Sequence, residues 1–258
     1  MTFRESGWDV KALVRMCVTS ATFRQSTQAP ADHWKCDPEN RLLGRGPRVR
    51  LDAEQIRDNA LAVSGLINLE IGGKGVRPYQ PPNIWEPVGF LGSNTRIYKA
   101  DTGSALYRRS IYTFLKRSAP PPYMANFDAP NRENQCARRE RSNTPLQALQ
   151  LMNDEQHIEA ARALGERMMS AGGATPQERV QFAFRRVLAR DANADEMKTV
   201  LVELDAHRAL FKQDEESAKK TIAHGESKPD CNLPAVELAS YTMLANMILN
   251  LDETINRN

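Results

Sequence analysis

The chain has 258 residues, 41% of them hydrophobic and 26% charged. That balance suits a globular protein with one large domain or two small ones, and it excludes a disordered or fibrous chain. The apolar runs are only a few residues long, where a membrane-spanning helix needs about 20, and a net charge of +3 is too small to imply nucleic acid.

Charge and cysteine placement say more than the totals. Residues 105–145 carry eight Arg or Lys against three Asp or Glu, a local basic excess. Cys17, Cys36, Cys136 and Cys231 form no CxxC pair and no CxxCH motif, so neither a zinc site nor covalently attached haem is expected within the chain. An even count allows disulfides, but spacing cannot pair them. The first nine residues have no apolar signal core and lead directly into an amphipathic segment, as if the chain began inside a longer protein.

In chain order, Val10, Leu13, Val14 and Cys17 recur at helical spacing, which puts Cys17 on an apolar face and predicts its burial. Residues 26–40 are polar and read as a loop. Asp52 with Gln55 three positions on is a capping-box start, with Leu51 and Ile56 placed as a hydrophobic staple. The helix carries Ile56, Ala60, Val63 and Ile67 on one face and is expected to stop at Gly72-Gly73. Residues 72–104, rich in Gly and Pro, cannot be regular helix and read as a long functional loop or a strap across a core. Residues 107–117 are short and aromatic and lean towards strand, ended by Pro120-Pro121-Pro122.

Beyond Ser142 the helix signals strengthen. Thr144-Pro145-Leu146-Gln147 combines an N-cap, proline at the first helical position and a capping-box glutamine, and the helix runs through Leu146, Leu149 and Met152. Asn153-Asp154 recaps a helix to about Ser170. Thr175-Pro176-Gln177-Glu178 and Asn193 with Glu196 open two more, residues 203–230 read as solvated surface, and a last helix follows Pro234. The expected fold is mainly α: a loop-rich part over residues 1–143 with a few helices and short strands, then a helical bundle over residues 144–258 whose short connections favour antiparallel neighbours.

Trp8-Asp9-Val10-Lys11-Ala12-Leu13, the stretches 20–26, 37–43, 57–66, 76–82 and 107–110, and above all Phe127-Asp128-Ala129-Pro130, Arg132, Cys136 and Asn143-Thr144-Pro145-Leu146-Gln147 resemble the planctomycete-type family called domain of unknown function 1553. Asn250-Leu251-Asp252-Glu253 closes the resemblance. Gly72-Gly73-Lys74-Gly75 and Leu115 depart from its usual pattern, at a loop and a packing position. The resemblance implies a secreted or cell-envelope bacterial protein, often with a cytochrome-c-like domain upstream, of which this chain is the C-terminal part. Any haem would belong to that upstream domain, and no cofactor or metal is expected here. The family carries no settled reaction.

The densest polar group is Asp128, Arg132, Arg138, Arg139, Arg141 and Asn143, set just before a helix start. Free N–H groups and arginine forks suit an anion, such as an acidic or sulfated glycan. The competing reading, which is favoured, is internal pairing in which Asp128 and Glu133 hold a long loop against the bundle through nearby arginines. Cys136 has electropositive neighbours, but no histidine spacing supplies a base, so a disulfide or packed thiol is expected over a nucleophile. Tyr79 and Trp85 on the proline-rich loop are candidate aromatic contacts for sugar, or core plugs, the favoured reading. No P-loop, dinucleotide-binding, HExxH or GxSxG motif occurs, so no catalytic residue can be assigned. Two functions follow. One is a non-catalytic interaction or scaffold module of an envelope or secreted protein, with the upstream domain as partner. The alternative is part of an enzyme acting on complex, acidic or sulfated polysaccharide.

Overall fold

The computed structural model describes residues 2–257. The chain is mainly α, and its described residues divide into two compact units, one of residues 2–50 with 256–257 and one of residues 51–255. By its contacts the chain divides near residue 50. The loops that precede residue 144 pack with the helices that follow it, because long-range hydrogen bonds tie them together.

The smaller unit holds α1 (Thr2–Glu5), α2 (Val10–Thr19) and α3 (Ala31–Cys36), with β1 (Val49–Arg50) paired antiparallel to β2 (Asn256–Arg257). Asp9 caps α2 by accepting from the Ala12 N–H at 2.9 Å. No residue of α2 is buried, and Cys17 is exposed, against the expectation from its apolar face. Within the predicted loop 26–40, α3 leads into a knot. The Asp37 carboxylate accepts from the Arg41 and Leu42 N–H groups, both at 2.8 Å. Arg45 donates to the Asp37 and Pro38 carbonyls and stacks 3.8 Å over Trp34. One family-like stretch, 37–43, is thus a self-contained turn.

The larger unit begins with α4 (Ala53–Ser64), where Gln55 Oε1 accepts from the Asp52 N–H at 3.0 Å to close the capping box. The helix ends at Gly65, not at Gly72-Gly73. Gly65 has φ +86, and its N–H returns to the Leu61 and Ala62 carbonyls, the left-handed stop that glycine makes cheap. The Gly/Pro-rich segment then straps across α4. Leu66, Ile67 and Tyr79 pack on Leu61, Leu106 and Tyr107.

Residues 107–117 are not a strand. They lie mostly in short 3-10 turns and single bridges, Asn68 to Arg108 and Val76 to Thr113. The reason is Arg57, which is buried in α4. Its guanidinium donates to the Leu106 carbonyl at 2.7 Å, the Arg108 carbonyl at 2.9 Å, Ser110 Oγ at 3.1 Å and Gln156 Oε1 at 2.6 Å. Asp58 accepts from the Ser110 N–H at 2.7 Å. Side chains occupy the backbone groups that a ladder would have used.

After α5 (Pro122–Asn126) come α6 (Pro145–Asn153), α7 (Glu155–Ala171), α8 (Pro176–Leu188), α9 (Ala194–Gln213), α10 (Glu215–Ile222), α11 (Ala235–Leu249) and α12 (Asp252–Ile255). The main core joins Leu164 and Met168 of α7, Val180 and Phe184 of α8, Leu204 of α9, and Tyr241, Leu244 and Ile248 of α11. Buried residues surround α11 on every side, as expected for a central helix. A Cβ at Gly165 of α7 would lie 3.2 Å from the backbone of Tyr241 and Thr242, so glycine permits the close approach of α7 and α11.

The predicted caps at Asp154, Thr175 and Asn193 all accept from helix N–H groups. Thr144 makes no side-chain cap hydrogen bond. Gln147 is fully buried and donates to the Asn126 carbonyl at 2.8 Å and Ser142 Oγ at 3.0 Å, so it ties α6 to the preceding chain and is not a capping-box glutamine. Leu146, Leu149 and Met152 are each more than half exposed, while Leu151 is buried. Part of the segment read as solvated surface is also packed: Ala218 and Ile222 of α10 meet Phe211, Ala239 and Met243. Among the described residues no helix is long and apolar enough to cross a membrane.

Candidate binding cleft and arginine-bearing loop

The loop between α5 and α6 is pinned at both ends. Asp128, with φ +57, accepts from the Ser142 N–H at 2.6 Å and from Ser142 Oγ at 2.8 Å. Gln147 holds Ser142 Oγ from the other side. Arg139 forks onto Glu54 in the first turn of α4, with Nη1 donating to Oε2 at 2.6 Å and Nη2 to Oε1 at 3.0 Å, and Asp52 lies 3.6 Å away. Arg141 lies 3.7 Å from Asp52. Burial raises the Glu54 carboxyl, but the Arg139 fork outweighs it and holds the group below its usual 4.5.

Internal pairing thus engages Arg139 and Arg141, but their partners are Asp52 and Glu54, not the expected Asp128 and Glu133. Arg132, Arg138 and Asn143 are exposed, and an anion contact would rest on them. Cys136 is an exposed free thiol, which corrects the expectation of a disulfide or packed thiol.

Trp85 is 1% exposed. Tyr98 meets it edge-on at 4.8 Å, Phe114 lies at 5.7 Å, and Arg77 and Lys116 lie within 6 Å of its ring, so no face is open to a ligand. Tyr79 is only partly buried and borders an open cleft of about 470 Å³. Its hydroxyl accepts from the Glu226 N–H at 2.7 Å, which fixes the ring. Tyr123, Pro81, Pro82, Pro121 and Pro122 border the same cleft. Polar groups come from Gln80, Asn126, Gln150, Asn153, Asp154 and Glu155.

Asp154 Oδ1 caps α7, accepting from the Gln156 and His157 N–H groups at 3.0 and 3.1 Å. Burial pushes its carboxyl up, but His157 and these hydrogen bonds bring it below the usual 3.8. Beneath the cleft a cavity of about 20 Å³ is bordered by Arg57, Thr113, Tyr123 and Asp154. Tyr123 stacks on His157 at 5.7 Å, and burial pushes its phenol well above the ordinary value.

A second buried polar cluster, invisible in the sequence, centres on Glu159 of α7. This fully buried carboxylate accepts from Tyr107 Oη at 2.7 Å, the Ser227 N–H at 2.8 Å and Ser227 Oγ at 2.6 Å. Arg162 donates to the Ser227 carbonyl at 2.7 Å and to Glu166 at 2.6 Å. Together they anchor the loop before α11. Among the described residues no group of three His, Cys, Asp or Glu gathers so as to hold a metal ion.

These features define a helical protein with a pinned basic loop and a neutral-to-acidic cleft. The family model described as PSD1, protein of unknown function (DUF1553), matches residues 1–204, and the chain belongs to that family. No curated protein and no solved structure matches it.

Proposed function

We propose that the chain is a non-catalytic interaction module of a secreted or cell-envelope bacterial protein. In this reading an upstream domain is its partner, and any haem lies there. One observation carries the reading: the central carboxylate before α6, Asp128, and its neighbour Arg139 are engaged in holding the fold, while Arg132 and Arg138 stand exposed beside them. Arg139 clamps Glu54 through two hydrogen bonds, and Asp128 clamps Ser142. A general acid or base must reach its substrate with a proton to exchange, and a carboxylate held by backbone and hydroxyl donors serves position instead.

The test is incubation of the chain with uronic and sulfated polysaccharides, following product by size-exclusion chromatography. The expected result is unchanged chain length. Shortened product that disappears in Asp128→Asn would overturn the reading in favour of an enzyme acting on acidic polysaccharide. Arg138→Gln is expected to keep the fold and to leave any glycan binding unchanged.

A further inference from the structure

We infer that the cleft between Tyr79 and Tyr123 is a binding site for an uncharged sugar unit of a glycan chain. Its volume, about 470 Å³, falls within the roughly 300–1,000 Å³ of small-molecule sites. Its walls combine the uncovered parts of two tyrosines, Tyr79 backed by Leu106 and Tyr107 and Tyr123 backed by His157 and Phe127, with proline pairs from two separate segments, 81–82 and 121–122. Proline rings lose little conformational freedom when a ligand settles on them, and Tyr79 is already fixed through its hydroxyl. Such preorganised apolar walls suit the C–H faces of a pyranose.

The polar groups choose between ligand classes. Four carboxamides, on Gln80, Asn126, Gln150 and Asn153, border the cleft with the carboxylates Asp154 and Glu155, and among the described residues no Lys, Arg or His borders it. Asn126 donates to Gln150 and Asn153 to the Leu149 carbonyl at 2.7 Å, so the covered Gln80 amide is the one left without a protein acceptor. An anionic uronic or sulfated unit would face these carboxylates without a counter-charge. Hydroxyl groups donate and accept, so they match amides and carboxylates together. The Gln80 Nε2 atom is covered and has no acceptor in the protein, and a ligand hydroxyl would supply one. A proline-rich peptide could use the tyrosine walls but would leave most of the surrounding acceptors unmatched, since proline has no N–H.

The inference rests on the non-catalytic reading only in treating the cleft as a seat, not a reaction centre. The test titrates the full chain by calorimetry with cellohexaose, xylohexaose, mannohexaose and laminarihexaose, with oligogalacturonate, dextran sulfate and decaproline as contrasting probes. At least one neutral hexasaccharide is expected to bind saturably. Gln80→Ala and Asn153→Ala are each expected to weaken it about tenfold, the effect of one lost hydrogen bond, with the melting temperature unchanged. Asn153 is exposed, so at least one variant keeps the fold. The inference is overturned if no neutral hexasaccharide binds, if both variants bind as the parent does, or if decaproline or an anionic probe takes the cleft instead. Any of these leaves the non-catalytic reading standing. Release of shortened sugars from a bound chain overturns that reading and supports the seat.

Discussion

Replacing Arg139 with Gln tests whether the basic loop is a clamp. The substitution removes both hydrogen bonds to Glu54 and the approach to Asp52 at 3.6 Å. The side chains of Arg139 and Glu54 are 29% and 24% exposed, between a surface pair worth about 0.2–1 kcal/mol and a charged hydrogen bond worth about 1.5–3 kcal/mol. A loss of about 1–2 kcal/mol follows, or about 2–8 °C in melting temperature for a unit of about 200 residues. The pH dependence has a definite sign. Glu54 is held below 4.5 in the folded chain, so its contribution is complete above the unfolded value and fades as pH falls through the folded one. Melts followed by circular dichroism should therefore show a gap between parent and variant that is full at pH 7 and narrows as pH falls below the ordinary carboxyl value of 4.5. Equal melting temperatures at pH 7, or a gap that stays constant into acid, would refute the clamp.

Glu159→Ala takes the acceptor from three buried donors and is expected to cost about 2–4 kcal/mol in urea unfolding; Glu159→Gln, which keeps an acceptor, should cost less. Gly65→Ala puts a Cβ in a φ +86 conformation, 2.1 Å from Arg167 Nη1, and should lose about 1–2 kcal/mol even after that arginine moves aside. All four thiols are exposed, so iodoacetamide should add four adducts to the reduced native chain without denaturant, read by intact mass. Slow or missing adducts would contradict the placement of Cys17 and Cys136.

The helices that were legible were those whose signals lie within a few residues of each other. Thr175 with Glu178 and Asn193 with Glu196 close their capping boxes locally, so adjacent letters were enough. Errors arose where a distant group decided the outcome. Apolar spacing continued past Gly65 to Ile67, and only the packing of Leu66 and Ile67 against Leu106 and Tyr107 shows that the helix has already stopped. The aromatic stretch after residue 106 has strand-like composition, yet Arg57, about fifty positions earlier, binds its carbonyls. In α6 the spacing of Leu146, Leu149 and Met152 is a sound amphipathic pattern, but the buried side is the one bearing Gln147 and Leu151.

The same physics separates the arginine loop from the cleft. Charge is conspicuous in a sequence, whereas its compensation is not: Arg139 and Glu54 are separated by 85 positions. Internal pairing was the favoured reading, but the partners of Arg139 and Arg141 are Asp52 and Glu54, outside the window in which Asp128 and Glu133 were the visible candidates. A cleft lined by tyrosine, proline and carboxamide gives the opposite case. None of these groups has a spacing code, because each acts through shape and single hydrogen bonds that any loop can present. Tyr79 was visible because it sat among prolines. Its counterpart Tyr123 follows a proline run too, and two Pro-Tyr stretches are the one sequence trace of a shared wall. Chain folding alone decides that these stretches border one cleft, just as it brings Arg139 to Glu54, and neither meeting is written in neighbouring residues.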